Sequence, residues 1–545
     1  MKRLGLIMMG VALVLGMAQC KKNVEPVSEG VVPGVGDGEI VLRLVGDGSK
    51  LAVFPETGAV YYTAGDVIHV ASGGTYCGTL TYHSDDDGGY FSGSLTSSTP
   101  ESGAKMYFYF MGNKDLNEDS PTSSISVNIS DQTENYPVIA CGESVEGYGE
   151  TTEYHATMKN KCALVKFDVE SSASPTTPTL IGGMNTVITF TFAGDGVGTP
   201  TTGTVGSIKL PGDSGERWAV LLKQDAVSSS TKKYIENSKI VTLTHSNIPA
   251  INDNDYLSSG IGVTVATEDF PEGAIQGLFT INEDGDQVLF SQGNLQYIGS
   301  AATPYWKFAD HQYDYFGDNG QHAATENLDR DLFGWGTSGY NHGAAAYQPW
   351  SRSVTAADYY AYGSSTGNLY DGDGTADWGY NAISNGGNAE NSGWRTPTTA
   401  EWEYIFNSRN SSGSYSYTKV TLTLAKAEYK GVIIFPDGWT STTASELGVS
   451  STINFKNSLA NYTSSISETD WTKLEAAGCV FLPASGIWME DESFIVYVGF
   501  FGCYWSSSYY DDNRVYYVRF NMGTFDQLGN TRYHGYSVRL VRVAQ

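Results

Sequence analysis

Gly393-Trp-Arg-Thr-Pro-Thr-Thr-Ala-Glu-Trp-Glu-Tyr404 carries the clearest local signal in the chain. Thr398 stands where a helix N-cap belongs, and Glu401 follows three residues later. That spacing lets each side chain accept from the other's backbone N–H, a capping box, and predicts a short helix carrying Trp402 and Ile405. Outward from this helix start, Trp and Tyr rise and Gly-rich turns crowd in from Gly277 onward. Upstream, Asp284-Gly285 joins Leu278–Ile281 to Gln287–Phe290 as a hairpin, and Asp331-Leu-Phe-Gly-Trp-Gly-Thr337 follows. Downstream come Gly431-Val-Ile-Ile-Phe-Pro-Asp-Gly-Trp439 and Val480-Phe-Leu-Pro-Ala-Ser-Gly486.

The last landmark is the longest. Residues 502–542 read GCYWSSSYYDDNRVYYVRFNMGTFDQLGNTRYHGYSVRLVR. Val538 and Leu540 alternate with Ser537 and Arg539, the pattern of a half-buried strand. Seven tyrosines fall from Tyr504 to Tyr536, scattered among Asp, Asn, Arg and His. Tyr beside Ser, Gly, Asn and Arg is the vocabulary of evolved binding surfaces, because Tyr offers contact area at low entropic cost.

The whole chain has 545 residues, too many for one core and enough for three or four units. Gly (63) and Tyr (36) are abundant and Lys+Arg (32) scarce, which favours β-rich extracellular folds. The formal charge of −28 argues against nucleic acid and against electrostatic docking on anionic lipid; its plain reading is solubility.

Lys2 and Arg3 precede an apolar run from Leu4 to Met17, too short to span a bilayer as a mature helix. Gly16-Met17-Ala18-Gln19-Cys20 ends it. This resembles a bacterial lipoprotein signal (residues 1–19) with Cys20 as the acylated N-terminus, although Gln19 departs from the small residue usual there; the alternative is an ordinary secretory signal. No later apolar run reaches membrane-spanning length. Residues 20–38 form a Pro/Gly/acidic tether. Five cysteines remain, Cys77, Cys141, Cys162, Cys479 and Cys503, so at least one is unpaired or pairs between chains. None is spaced as CxxC, and neither a zinc site nor a disulfide framework is expected.

From Glu39 the chain reads as strands divided by Gly/Ser/Asp turns: Glu39–Val45, Gly65–Val70, Tyr90-Phe91, Met106–Met111 and Cys162–Val169. The stripe Tyr107, Phe108, Tyr109, Phe110 reads as core rather than a sugar platform. A Pro/Thr/Ser break at Ser171–Pro178 introduces a second set: Val187–Phe192, Gly206–Leu210, Trp218–Leu222, Lys239–Leu243 and Gly260–Val265. Glu268–Ala274 reads as a linker. The expectation is two antiparallel sandwiches, 39–170 and 171–270, followed by a unit at 277–545.

The order "GDVIHV … GGYFSG … KMYFYF … HATMKNKCALVKFDV" resembles the fimbrillin-like (Mfa-like) domains of Bacteroides-type surface lipoproteins and pilins. "FGWG", "GWRTPTTAEWEY", "FPDGW", "VFLPASG", "YWSSS" and "GYSVRLVR" together resemble the formylglycine-generating-enzyme (sulfatase-modifying-factor) type of C-type lectin fold. The implied fold class is mainly β, with N-terminal fimbrillin-like β-sandwiches and an α+β C-type-lectin-like domain. Within that fold the likeness is to the variable proteins of diversity-generating retroelements, whose C-terminal repeat is rewritten at template adenines on one ligand-binding face. "YWSSS" and "GYSVRLVR" would border such a region, 502–542. The implied ligand-binding residues are Tyr509, Tyr510, Asp511, Asp512, Arg514, Tyr516, Arg519, Asn521, Thr524, Asp526, Tyr533 and His534. All of these, with Asn513 and Asn530, are reachable from an Asn codon changed at its adenines; Met522 and Gln527 are not. The loops would be held by the sheet and by Trp394, Trp402 and Trp505.

The resemblance to an oxidase fold does not imply an oxidase. That chemistry needs a cysteine pair at the site, and "YSVRLVRVAQ" has no cysteine where the enzymes place one, so no catalytic residue is expected. Asp371-Gly-Asp-Gly-Thr-Ala-Asp377 resembles half of a calcium loop, with Asp371, Asp373 and Asp377 as weak candidate ligands, but it lacks the closing bidentate Glu. A solvated Asp/Gly turn is the plainer reading, so calcium is the one cofactor held open. His311 and His342 read as hydrogen-bonded surface groups. The expectation is a non-enzymatic, lipid-anchored protein of the outer membrane or cell surface. It would bind an unknown protein or glycan on another cell, phage or host, as an adhesin or receptor. The alternative is a pilus subunit or tip, assembled with other subunits through its N-terminal sandwiches, with Arg43 in the first strand as a maturation cleavage point.

Overall fold

A computed structural model of the chain describes residues 39–544, except 46–49, 55–57, 87–88, 119–120, 134–136, 173–177, 318–323, 365–366, 410–415, 426, 441, 451–461, 463, 490–493 and 522–524. Cys20 and the expected signal and tether lie outside the described residues. The protein is mainly β. Its longest described helix, Glu468–Ala476, has nine residues, and among the described residues no helix is long and apolar enough to cross a membrane.

The strands expected from the sequence form near their expected places. Ile40–Leu44, Val67–Ser72, Tyr90–Gly93, Tyr107–Met111 and Cys162–Ser171 fall on the apolar runs quoted above. The first five-stranded expectation underestimates the pairing. Ile40–Leu44 bonds to Tyr90–Gly93 on one side and, in parallel, to Glu153–Asn160 on the other. Hydrogen bonding therefore runs round a closed ring of seven strands. A parallel pairing of sequence-distant segments leaves no turn signal to read.

Every side chain of Tyr107–Met111 is buried. Continuous burial rather than alternation means that both faces of the strand are covered. One cover is the strand Thr179–Thr191: Phe190 lies 5.2 Å from the Tyr109 ring. The Tyr109 hydroxyl, which burial would otherwise leave unsatisfied, donates to the Val197 carbonyl at 3.0 Å.

Besides the short hairpin of Lys50–Phe54 and Gly58–Tyr61, the N-terminal half holds two further sheets. One runs Gly215–Leu222, Cys162–Ser171, Tyr256–Asp269, Lys239–His245, Ser230–Glu236; the other runs Thr201–Leu210, Thr179–Thr191, Ser124–Asn128. Ser124–Asn128, before residue 171, pairs with Thr179–Thr191 beyond it. One apolar core accordingly extends from Ile40 to Val265. The Ser230–Glu236 and Lys239–His245 hairpin turns at Asn237 (φ 51°) and Ser238 (φ 56°), the two positive φ values that match the twist of paired strands. The expected linker begins late: Glu268 and Asp269 are still in strand, paired with Ile240 and Lys239.

In the C-terminal half the chain end returns to the beginning. Val541–Val543 lies between Gln287–Phe290 and Trp394–Arg395, and Phe279–Thr280 completes this sheet as the expected hairpin. A second sheet orders Ser464–Ser467, Tyr417–Thr423, Glu428–Ile434, Val480–Pro483. A third is the meander Gly502–Tyr509, Arg514–Phe520, Phe525–Thr531. Residues 537–540 do not form the half-buried strand that their alternation suggested. Ser537 and Arg539 are as buried as Val538 and Leu540. The reason is visible in their partners: Ser537 Oγ meets Ser485 Oγ at 2.7 Å, and Arg539 Nη2 donates to Gln312 Oε1 at 2.8 Å. Polar residues placed inside with partners defeat a pattern that assumes polar means solvent.

The two halves touch. Ile240 of the N-terminal half packs with Leu278, Leu289 and Ala544, and the Lys233 ammonium donates to the Ala544 carbonyl.

Candidate ligand-binding face

The helix start at Thr398 is a capping box, as its spacing predicts. Thr398 Oγ1 accepts from Glu401 N at 3.1 Å and Glu401 carboxylate accepts from Thr398 N at 2.8 Å. Glu401 also takes both Nη atoms of Arg395, at 2.7 and 2.5 Å. Trp402, on the helix Thr399–Glu403, is fully buried and donates from Nε1 to the Trp505 carbonyl at 3.3 Å. Trp505 in turn donates to the Phe333 carbonyl at 2.7 Å, and Trp394 to the Gly386 carbonyl at 3.0 Å. Each indole thus fills core volume and ties off a backbone acceptor, which makes the base of the meander rigid.

On that base the strand Arg514–Phe520 has two faces. Val515 and Tyr517 enter the core that holds Trp505; Val518 and Phe520 enter the core that holds Trp402 and Tyr504. Few positions are left for solvent, and they gather at the two ends. At one end Tyr510 is 38% exposed. Its ring meets Tyr516 edge-on at 4.7 Å between centroids and lies where a Cβ on Gly529 would sit. The Arg514 guanidinium covers it at 4.4 Å and pairs with Asp511, Nε to Oδ2 2.7 Å. The hydrogen bond from Arg514 holds the Asp511 carboxyl below the usual aspartate range. Tyr509 donates its N–H to Asn368 Oδ1 at 3.3 Å, and Asp512 is exposed.

At the other end lie Arg519 and Asn521, both half-buried. Arg519 faces Asp526 in register and places its guanidinium 5.6 Å from the Phe501 centroid. The Asn521 carbonyl accepts from Lys419 Nζ at 2.5 Å. Thr524 and Met522 are outside the described residues, and the Asp526 side chain is too. From Arg514 to Arg519 is roughly 17 Å of strand, with buried Val515, Tyr517 and Val518 between. The implied binding residues therefore form two groups rather than one patch. Tyr533 and His534 sit half-buried at the turn after the third strand, where His534 Nδ1 meets Thr531 Oγ1 at 2.7 Å and its ring stacks on buried Tyr536.

Some residues of the segment work inward. Asn530 Nδ2 donates to the Tyr536 hydroxyl at 2.5 Å. Gln527, set apart by its codon, donates to the Thr399 carbonyl at 2.7 Å and so ties the third strand to the capped helix. Sequence reasoning missed Arg532, which is completely buried. It also missed the exposed aromatics Phe494, Tyr497 and Phe500, of which Tyr497 packs against Phe501, the ring that Arg519 covers. Tyr497 has φ 61°, a left-handed conformation that a bulky side chain rarely adopts. Three aromatics within a few residues of Gly502 were the available signal.

The calcium-like loop does not assemble as a metal site. Asp377 is buried, caps the turn Trp378–Tyr380 and accepts from Gly379 N (2.8 Å) and from Thr396 N and Oγ1. Burial pushes its carboxyl up, against those hydrogen bonds. Asp373 is exposed and accepts from Thr375 N and Oγ1. Asp371 accepts from Asn368 N. Each carboxylate closes its own turn, and among the described residues no three His, Cys, Asp or Glu side chains gather as a metal cluster. His311 bonds Asp314 and His342 bonds the Gly336 carbonyl. All five described cysteines are free and buried; burial raises the Cys141 thiol to about 11 and the Cys162 thiol to about 12.

No protein-family model matches the chain, and no curated protein matches it. Among solved structures, a proposed cell adhesion protein from Bacteroides uniformis aligns at 14% identity over 43% of this chain and 98% of its own, with a TM-score of 0.26. A proposed cell adhesion protein from Bacteroides eggerthii aligns at 13% identity over 44% of this chain and 98% of its own, TM-score 0.22. A fimbrial protein from Bacteroides ovatus aligns at 11% identity over 93% of this chain and 99% of its own, TM-score 0.20. Likenesses this slight leave function to be argued from the chain's own residues.

Proposed function

We propose that the protein is a cell-surface adhesin or receptor that binds a ligand non-covalently through the C-terminal meander. One observation carries this reading. Tyr510, Tyr516, Arg514 and Asp511 are packed against each other on the surface of a buried, indole-braced sheet. Aromatic rings fixed before binding lose little entropy on contact, and a guanidinium adds directional donors. In this reading residues 277–545 are a C-type-lectin-like head, and the N-terminal half is a fimbrillin-like stalk tethered by a lipid on Cys20. The solvent-facing Tyr510 and Arg514, beside Gln527 and Trp505 that bond inward, suit a segment that diversifies. The reading is binding rather than catalysis: Cys479 and Cys503 are buried and their thiols are pushed up by burial, the reverse of a poised thiolate. The test is an array of glycans and of surface proteins probed with the wild-type chain and with Tyr510→Ala/Tyr516→Ala. The variant should lose the wild-type signals by about tenfold or more, equivalent to about 1.4 kcal/mol. Unchanged signals would place the binding face elsewhere.

A second reading, assembly into a pilus, has its own observation. Ile40–Leu44 sits between two neighbours in the closed ring, so its removal would open a groove with two unpaired edges for strand addition. Arg43 lies within it, paired with Asp85 at 2.9 Å and with Glu153 at 3.3 Å. Cleavage after Arg43 followed by ladders of polymer on a gel supports this reading; a cleaved protein that stays monomeric counts against it.

A further inference from the structure

The surface around Tyr510 does not end with the meander. Residues 359–364 and 367–373 lie against it and are outside the segment marked by the sequence. Three backbone contacts join them: Gly363 N donates to the Asp512 carbonyl at 3.3 Å, Leu369 N to the Ser507 carbonyl at 3.0 Å, and Tyr509 N to Asn368 Oδ1. Buried Arg532 clamps the two segments. Its Nε donates to the Tyr360 carbonyl (3.2 Å) and Nη2 to that of Ala361 (3.4 Å). On the other segment Nη1 donates to the Asp512 carbonyl (3.1 Å) and Nη2 to that of Asp511 (3.4 Å). Ala361 is held at φ 53°, strain that a clamp can sustain. The result is two exposed tyrosines, Tyr362 (45%) and Tyr370 (39%), each next in sequence to a residue, Gly363 or Leu369, that bonds a carbonyl of the stretch Ser507–Asp512 in which Tyr510 lies.

Charge on this joint surface is one-sided. Residues 353–394 contain no Lys or Arg. Asp371, Asp373 and Asp512 stand at its surface, while Arg514 is already matched by Asp511 and Arg395, which lies near Tyr370, by Glu401. Arg532 is buried beneath the loops, with Asp511, Asp512 and Tyr362 all close enough to favour its charge against the burial that lowers it. Tyrosine rings attract cations through their π faces, and carboxylates do so by charge.

We propose that Tyr362, held by the positioning residue Arg532, and Tyr370 form a constant half of the binding face, and that the joint face takes a Lys/Arg-rich protein segment. This rests on the binding reading above. Complementary charge favours a basic polypeptide over a neutral glycan, which would leave the carboxylates unmatched.

The test is a random-peptide phage library panned on the full chain. Selected peptides are then synthesised and measured against wild type, Tyr362→Ala/Tyr370→Ala and Tyr510→Ala/Tyr516→Ala, each first checked for an unchanged melting curve. The expected result is an excess of Lys and Arg in the selected peptides, with affinity falling about tenfold or more in both variants and weakening with salt. Peptides without a basic excess overturn the assignment of the partner. Loss with Tyr510→Ala/Tyr516→Ala but not with Tyr362→Ala/Tyr370→Ala overturns the two-segment face and leaves the binding reading standing. Loss with neither pair overturns both.

Discussion

Arg532 shows how one buried side chain can organise the surface above it. It is planar, its donors are fixed in direction, and four loop carbonyls converge on it. Replacing it with Met removes those donors and leaves the carbonyls facing an apolar chain. Removing a buried charged hydrogen-bonding group costs about 3 kcal/mol, so Arg532→Met should lower the melting temperature and open cleavage sites near residues 360 and 511 in limited proteolysis. Gly529 makes the opposite case. A Cβ there would meet the Tyr510 ring at 2.8 Å, so Gly529→Ala should displace Tyr510 and weaken binding while the melting temperature moves little. His69, in the N-terminal half, supplies a pH test. Burial lowers its imidazole to about 4, and its Nδ1 lies 3.0 Å from the Tyr76 hydroxyl. A lowered folded value means the folded state binds the proton less readily than the unfolded chain, whose histidine titrates near 6.5. Its contribution is thus fully present above about pH 6.5 and lost as pH falls toward about 4. Thermal melts at pH 7 and pH 4.5 should differ on the order of 2 kcal/mol more in wild type than in His69→Gln; an equal difference would remove His69 from the account.

At the scale of elements, the short helix Thr399–Glu403 is the hinge of the C-terminal half. It has too few residues to be stable alone, so its cap and its Trp402 must hold it. Thr398→Ala removes the acceptor for Glu401 N and should cost about 1 kcal/mol by denaturant titration. This element was legible because its physics is local: a cap, an acid three residues on and a buried indole all fall within twelve residues. The strands of the N-terminal half were legible for the same reason, since period-2 patterns mark one strand at a time. What pairs with what was not legible. The ring closure by Ile40–Leu44 and the exchange of Ser124–Asn128 with Thr179–Thr191 join segments far apart in sequence. Residues 537–540 misled in a second way. Their alternation is real, but Ser537 and Arg539 find buried partners, and hydropathy does not show a partner. The binding residues divide likewise. Tyr510 and Arg514 could be picked out by type, whereas the separation of Arg514 from Arg519 follows from three buried positions between them, and nothing in the polar run around Arg532 marks it as buried.

For the molecule as a whole, the free cysteines describe the environment the fold has prepared. Cys77, Cys141, Cys162, Cys479 and Cys503 are all buried, so the odd count needs no bond between chains. A thiol reagent should leave these five unmodified in the native protein and label them in denaturant; native labelling would show that a core opens. In the proposed function, solvent-facing residues of the meander bind while the buried ones fold, so that the two can be changed independently. Tyr510→Asn/Arg514→Asn/Tyr516→Asn, assayed together by thermal melting and on the wild-type array targets, tests it most directly. The expected result is a melting temperature close to wild type with binding lost. Binding retained at wild-type strength would contradict it.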